Sequence, residues 1–82
     1  MTYIVDITVR LKDGMRDPEA STIKRSLEQI GFETQRLTLA KQFRVTIDAE
    51  SEDAAREQGR EMCERLLANP VIHDYTIRVV RE

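Results

Sequence analysis

The chain has 82 residues, of which 40% are hydrophobic and 34% charged; this predicts one folded domain over residues 1–82 and excludes a disordered chain. Thirteen basic and fifteen acidic residues give a net charge of −2, and their mixing along the chain argues against nucleic acid or an anionic membrane as a partner. One cysteine and one histidine are too few for a transition-metal cage, and the lack of a long apolar run or signal peptide predicts a cytoplasmic protein.

The first predicted element is a strand over residues 3–11, YIVDITVRL. Apolar and polar residues alternate along it, so that one face carries Tyr3, Val5, Ile7, Val9 and Leu11. Strict alternation over this length is typical of a half-buried strand.

The first helix is predicted over residues 18–30. Asp17 followed by Pro18 is typical of an N-cap and first helical position, and this capping role explains Asp17 better than acid–base chemistry or an anion site. Gly31 suits the C-cap, where Phe32 closes the end by an apolar contact. One apolar face follows from the spacing of Ala20, Ile23, Leu27 and Ile30.

Residues 34–49 contain two further alternating runs. The first carries Leu37 and Leu39, and the second carries Phe43, Val45, Ile47 and Ala49. The break near Ala40-Lys41 predicts a tight hairpin between two strands, although the Gly or Asn that such turns prefer is missing.

The second helix is predicted to begin at the N-cap Ser51 and to end at Asn69, because Pro70 disfavours helical geometry in the residue before it. Its predicted buried stripe consists of Ala55, Gly59, Met62 and Leu66. A last alternating strand follows, with Tyr75, Ile77 and Val79 on one face. The order β-α-β-β-α-β predicts an α+β ferredoxin-like sandwich, an antiparallel four-stranded sheet with two helices on one face.

No residue of the chain is predicted to be catalytic, to bind a cofactor or to hold a metal. Cys63 lies beside the apolar stripe and is expected to be a buried, inert thiol. The sequence indicates no partner for His73, which is therefore expected to be an exposed loop residue rather than a proton shuttle. The three glycines are too scattered for a phosphate-binding loop.

For two surfaces the sequence allows two interpretations each. The sheet face away from the helices is either simply solvated or a polar association surface; it carries Ile4, Asp6, Thr8, Arg10, Thr38, Arg44, Thr46, Thr76, Arg78 and Val80. In the junction between the second helix and the last strand, Pro70 fixes a turn. Val71 and Ile72 in that turn either plug the end of the sheet or dock against a neighbouring subunit.

Two stretches resemble the PurS family, the small subunit of phosphoribosylformylglycinamidine synthase. They are EMCERLLANPVIHDYTI, residues 61–77, and VRLKDGMRDPEASTIKRSLEQIGF, residues 9–32. The chain departs from the family pattern at Ala20 and Ala40, where the family usually has glycine. Alanine is disfavoured at positive φ, so Ala40 is unfavourable in the predicted hairpin wherever its turn requires that conformation.

The resemblance implies a subunit of an ATP-dependent, glutamine-hydrolysing ligase of purine biosynthesis. Such a subunit joins the ATP-using PurL subunit to the glutaminase PurQ and forms a homodimer or higher oligomer. It has no active site or cofactor of its own, while the whole complex uses ATP and Mg²⁺. The residues that we select as candidates for the partner interface are Lys12, Arg16, Lys41, Asn69, Val71, Ile72 and His73.

Two other classes share this element order. An ACT-type regulatory module would bind an amino acid at a dimer interface. An acylphosphatase-like hydrolase would need an arginine cradle; Arg16 lies in the corresponding loop, but the surrounding phosphate-binding pattern is absent.

Overall fold

The computed structural model describes residues 1–82 and contains three strands, two α-helices and one π-helical turn. In chain order these are β1 (Thr2–Leu11), α1 (Pro18–Gln29), β2 (Ala40–Asp48), α2 (Glu52–Met62), the π turn (Cys63–Leu67) and β3 (His73–Arg81). The predicted strand over residues 3–11 and the last strand are confirmed, and α1 ends one residue before its predicted end.

The sheet has the strand order β2-β1-β3, and both outer strands run antiparallel to β1. In this register Val5 lies opposite Val45 and Val79. The alternation of β1 therefore places apolar residues of all three strands on one face. The buried core on this face consists of Tyr3, Val5, Ile7, Val9, Ala55, Cys63 and Ala68.

The predicted fourth strand is wrong, since residues 34–39 form no strand and the sheet has three. No hairpin turn lies between the predicted middle strands, because Ala40 and Lys41 already belong to β2 and pair with β1. A two-residue hairpin of the usual kind requires positive φ. The only residues with positive φ are Gly14 and Gly31, so the chain runs into β2 without reversing.

The predicted helix caps are confirmed. The Asp17 Oδ1 atom accepts the N–H of Ala20 at 3.1 Å, and Ser51 Oγ accepts the N–H of Ala54 at 3.1 Å. Gly31 has a φ of 105° just beyond the end of α1, which is the backbone conformation that glycine supplies at a helix C-terminus. Local sequence therefore fixes where both helices begin and where α1 ends.

The π turn changes which residues of the second helix face the core. The N–H of Ala68 donates to the carbonyl of Cys63 at 2.9 Å, five residues back, which is the π-helical spacing. This wider turn shifts the buried side so that Cys63 is fully buried, Leu67 packs against the core, and Leu66 is 83% exposed. The prediction that Leu66 is part of the buried stripe is wrong for this reason.

Helix α1 stands apart from the sheet. Helix α2 packs over the sheet, whereas the one buried residue of α1, Ala20, lies outside the core cluster on the sheet. The radius of gyration is 16.1 Å, whereas a compact domain of this length has about 12 Å, and the molecule measures 50 × 27 × 15 Å. Two helices were expected to pack on one face of the sheet, and only α2 does so.

Candidate interaction surfaces

The turn before β3 is organised by Asn69. Its N–H donates to Nδ1 of His73 at 2.9 Å, and its carbonyl accepts the N–H of His73 at 2.7 Å. Its side-chain oxygen accepts the N–H of Val71 at 3.0 Å. The expectation that His73 is an exposed loop residue is wrong, because it is half-buried at the start of β3 and its ring nitrogen accepts a backbone hydrogen bond across the turn.

The two aliphatic residues of this turn have different environments. Val71 is 75% exposed, whereas Ile72 is half-buried. The carbonyl of Ile72 also accepts the N–H of Lys12 at 2.8 Å, which ties the turn to the loop that follows β1. Val71 therefore does not plug the end of the sheet, and it presents an apolar group at the tip of the turn.

The structure gathers all the interface candidates at one end of the sheet, which we call the loop end. Strand pairing sets Leu11 opposite His73 and Val9 opposite Lys41, so the loop after β1, the start of β2 and the turn before β3 are neighbours. The loop end carries Lys12, Arg16, Lys41, Asn69, Val71, Ile72 and His73.

An open cavity of ≈570 Å³ lies at the loop end, between the end of β1, the start of α1 and residues 36–40. Its charged lining residues are Arg10, Lys12, Lys24 and Arg36, with Asp13 and Asp17 as the acidic ones. The excess of cations favours contact with an acidic group of a partner. Asp17 is already engaged as a helix cap, and we find no base–nucleophile pair in this wall.

The exposed sheet face has Asp6 at its centre, opposite Arg44 on one side and Arg78 on the other. Arg44 Nε donates to Asp6 Oδ1 at 2.8 Å, and this hydrogen bond and charge raise the pKa of Arg44. Thr38, which we predicted on this face, lies outside the sheet.

Cys63 is fully buried, and burial, followed by the charge of Glu64, raises the pKa of its thiol. The prediction that Cys63 is buried is therefore confirmed, and a protonated, inaccessible thiol is expected to be a poor nucleophile. No group of three His, Cys, Asp or Glu side chains is placed to hold a metal ion. Neither helix is long and apolar enough to cross a membrane.

A surface that the sequence analysis missed lies on the open side of α2. It is an apolar groove of ≈410 Å³, which we call the α2 groove, lined by Phe43, Val45, Met62, Leu66 and Leu67 with Gln58, Glu61 and Arg65. The groove depends on the π turn, which turns Leu66 outward. No residue pattern in the sequence marks a π turn, so periodicity could not have found it.

Comparison with known proteins places the chain in one family. Residues 4–81 match the family model described as PurS: Phosphoribosylformylglycinamidine (FGAM) synthase. The chain is 40% identical over 79 residues to phosphoribosylformylglycinamidine synthase subunit PurS of Methanothermobacter thermautotrophicus, covering 96% of this chain and 94% of that protein.

Two solved structures have the same fold. One is Methanocaldococcus jannaschii PurS, described as one of the subunits of formylglycinamide ribonucleotide amidotransferase in the purine biosynthetic pathway, with a TM-score of 0.87, 40% identity and 98% of both chains covered. The other is a chain in the structure of PurLQS from Thermotoga maritima, with a TM-score of 0.89, 33% identity and 98% and 99% covered. The chain therefore belongs to the PurS family, which forms a subunit of phosphoribosylformylglycinamidine synthase.

Proposed function

We propose that this chain is the non-catalytic assembly subunit of the synthase, bridging PurL and PurQ. In this role it aligns the two enzymes so that ammonia released from glutamine by PurQ reaches formylglycinamide ribonucleotide on PurL. Support comes from family membership and from the PurLQS structure of Thermotoga maritima, one chain of which matches this protein over nearly its whole length.

The observation that carries the proposal is the contrast between the chain's surfaces and its chemistry. The cysteine is buried with the pKa of its thiol raised, the histidine is a hydrogen-bond acceptor within its own turn, and Asp17 caps a helix. In contrast, an apolar residue, Val71, stands out from a cation-rich loop end. An assembly subunit needs surfaces of this kind to bind its partners, and it does not need a nucleophile.

We propose that the loop end is the part that docks on the larger subunits. Asn69 and His73 shape the turn, while Val71 presents its side chain for burial. Basic residues of the loop end form a polar rim, as in protein interfaces generally; these are the exposed Arg16 and Lys41 and the half-buried Lys12. Ile72 has a smaller role in contact, since it is already half-buried.

In this proposal the chain binds no cofactor of its own, and the ATP and Mg²⁺ used by the complex belong to PurL. The complex works in the cytoplasm, where its substrates glutamine and ATP are metabolised. The isolated chain is a homodimer, because its extended shape leaves apolar side chains of α1 uncovered.

Reconstitution tests the proposal. PurL and PurQ from the same organism are mixed with glutamine, ATP and formylglycinamide ribonucleotide, with and without this chain. We expect a rise in glutamine-dependent turnover and co-elution of all three proteins. If turnover and elution are unchanged on addition of the folded chain, the bridging role is wrong; heat release on titration with glutamine alone would instead favour an amino-acid-binding module.

A further inference from the structure

The cavity at the loop end has walls from three separate parts of the chain. They are the end of β1 with the loop that follows it, the first turns of α1, and residues 36–40. Hydrogen bonds fix the first wall, since the N–H of Met15 donates to the carbonyl of Lys12 at 3.1 Å and the N–H of Lys12 donates to the carbonyl of Ile72 at 2.8 Å. The volume of ≈570 Å³ lies within the range of about 300–1,000 Å³ that is usual for small-molecule sites.

The lining of this cavity has the opposite charge to the chain. The whole chain has a net charge of −2, whereas the lining contains four basic and two acidic residues and is therefore positive. Lys24 pairs with Glu28 at 3.2 Å, but Arg10, Lys12 and Arg36 form no ion pair within the chain. Three cationic side chains are therefore available to a ligand.

The acidic side chains near the cavity do not neutralise these cations. Asp17 accepts the N–H of Ala20 as the cap of α1, and Asp13 is exposed in the loop after β1. Asp74 lies opposite Arg10 in the sheet but forms no ion pair with it. An anion with several oxygens suits such a set of cations, because guanidinium groups bind phosphate and carboxylate oxygens in pairs.

The rest of the lining is largely apolar. Leu11, Leu37 and Leu39 line the cavity and are half-buried, and Met15 is 44% exposed in the loop after β1. A ligand that removes these side chains from water gains free energy from their burial, whereas an inorganic anion is too small to cover them. The lining therefore suits a ligand that has both an anionic group and an apolar body.

We propose that the loop-end cavity binds an organic phosphate of the size of a mononucleotide. Its phosphate groups lie against Arg10, Lys12 and Arg36, and its apolar body lies against Leu37 and Leu39. The acidic side chains of a protein partner need only a flat cationic patch, whereas a cavity of this volume surrounds a compact ligand. This site goes beyond the bridging role, and its ligand takes no part in the reaction, so the chain still has no cofactor.

Calorimetric titration of the full chain tests the site, with AMP and ADP as the probes. We expect saturable binding of one nucleotide per chain with a Kd below about 1 mM. Inorganic phosphate and pyrophosphate carry the charge without the apolar body, so each should bind at least tenfold more weakly than AMP or ADP. A pentaglutamate peptide at equal ionic strength represents an acidic protein segment and should also bind more weakly.

Three results of these titrations would overturn the proposal. They are no saturable binding of either nucleotide, pyrophosphate binding as tightly as ADP, and pentaglutamate binding more tightly than both nucleotides. The second would mean that the apolar wall contributes nothing to binding. The third would mean that the cavity receives an acidic segment of a protein instead.

Arginine variants show whether the cavity itself is the site. Arg10→Gln and Arg36→Gln each remove one exposed lining cation, and we expect about tenfold weaker nucleotide binding for each. Arg81→Gln is the matched control, because Arg81 is exposed and lies opposite Tyr3, at the far end of the sheet from the cavity. Circular dichroism checks that all three variants are folded. Equal weakening by Arg81→Gln would show attraction by overall charge and no specific site.

These outcomes are separate from those of the bridging role. If the chain binds no nucleotide but still raises glutamine-dependent turnover with PurL and PurQ, the organic phosphate site is wrong and the bridging role stands. If nucleotides bind and the arginine variants behave as expected but turnover does not change, the site stands and the bridging role is wrong.

Discussion

Asn69 and His73 are joined by two hydrogen bonds that cross the turn before β3 in opposite directions, at 2.9 Å and 2.7 Å. The first of these needs a ring nitrogen as acceptor, so His73→Ala leaves the Asn69 N–H without its partner. We expect the free energy of unfolding to fall by about 0.5–1.5 kcal/mol, the usual value of one hydrogen bond. Urea denaturation followed by circular dichroism measures this loss.

Asp74→Ala is the matched control for that turn. Asp74 is exposed and lies next to His73 but contributes no side-chain hydrogen bond. We expect its unfolding free energy to stay within about 0.5 kcal/mol of the natural value. Equal losses in the two variants would show that the ring nitrogen contributes nothing specific to the turn.

Val71 and Ile72 differ in exposure, and we therefore expect their serine variants to differ in stability and in assembly. Val71→Ser should leave the unfolding free energy within about 0.5 kcal/mol but weaken co-elution with PurL and PurQ. Ile72→Ser should lower the unfolding free energy by about 1–2 kcal/mol, since a half-buried apolar side chain is lost. If Val71→Ser assembles as well as the natural chain, Val71 is not a docking residue.

Gly59 brings α2 close to the sheet. A Cβ atom at this position would lie 2.9 Å from Cγ1 of Val5 and 3.4 Å from Cγ2 of Ile77. The helix gains about 1 kcal/mol from Gly59→Ala by propensity, but overpacking costs about 1–3 kcal/mol. We expect a net loss of about 1 kcal/mol in thermal or urea unfolding.

The cause of that loss can be isolated in a Val5→Ala background, where the blocking Cγ1 atom is gone. There Gly59→Ala should cost less than in the natural chain, or even stabilise the protein. Equal costs in both backgrounds would mean that the contact with Val5 does not determine the effect.

Local patterns were enough to predict the parts of the fold that local physics determines. The alternation of β1 gave its buried face, with Val5 and Ile7 fully buried, and the residue types at Asp17 and Ser51 gave both helix starts. In each case the relevant contacts are within a few residues or follow from strand alternation alone. The grouping of the candidate loops at one end followed once the strand register was known.

The errors arose where distant contacts decide the structure. The π turn moves Leu66 outward by inserting one residue into a helix turn, and a helix that is apolar at ordinary spacing contains no sign of it. The missing strand depends on whether the chain reverses at Ala40, and the absent glycine there was the one local hint. The apolar spacing of α1 predicts a buried face but not the position of the helix, and α1 lies away from the sheet.

Cys63 should be unreactive in the folded protein. Its side chain is fully buried and the pKa of its thiol is raised. A reagent therefore cannot reach the sulfur, and little of the thiol is in the reactive thiolate form. We expect a thiol reagent to modify Cys63 at least tenfold more slowly in buffer than in urea.

Cys63→Ser should lower the unfolding free energy by about 1–3 kcal/mol, because it buries a hydroxyl group. Rapid modification of the folded chain would show that the site opens.

Tyr75 ties β3 to the π turn, since its hydroxyl donates to Oε2 of Glu64 at 2.7 Å. This hydrogen bond, with burial and the charge of Glu64, raises the pKa of Tyr75 above its ordinary value. The unfolded chain therefore loses this proton at lower pH than the folded chain. Stability from the bond is complete below about pH 10, the unfolded value, and is lost as pH rises through the folded pKa.

The absorbance of the phenolate measures this titration directly. In a Tyr3→Phe background Tyr75 is the only tyrosine, and we expect its ionisation at higher pH in the folded chain than in urea. Glu64→Gln keeps an oxygen acceptor but removes the charge, so the titration should move back toward the ordinary value. If folded and unfolded chains titrate together, the bond to Glu64 is not maintained in solution, and Tyr75→Phe should then leave alkaline stability unchanged.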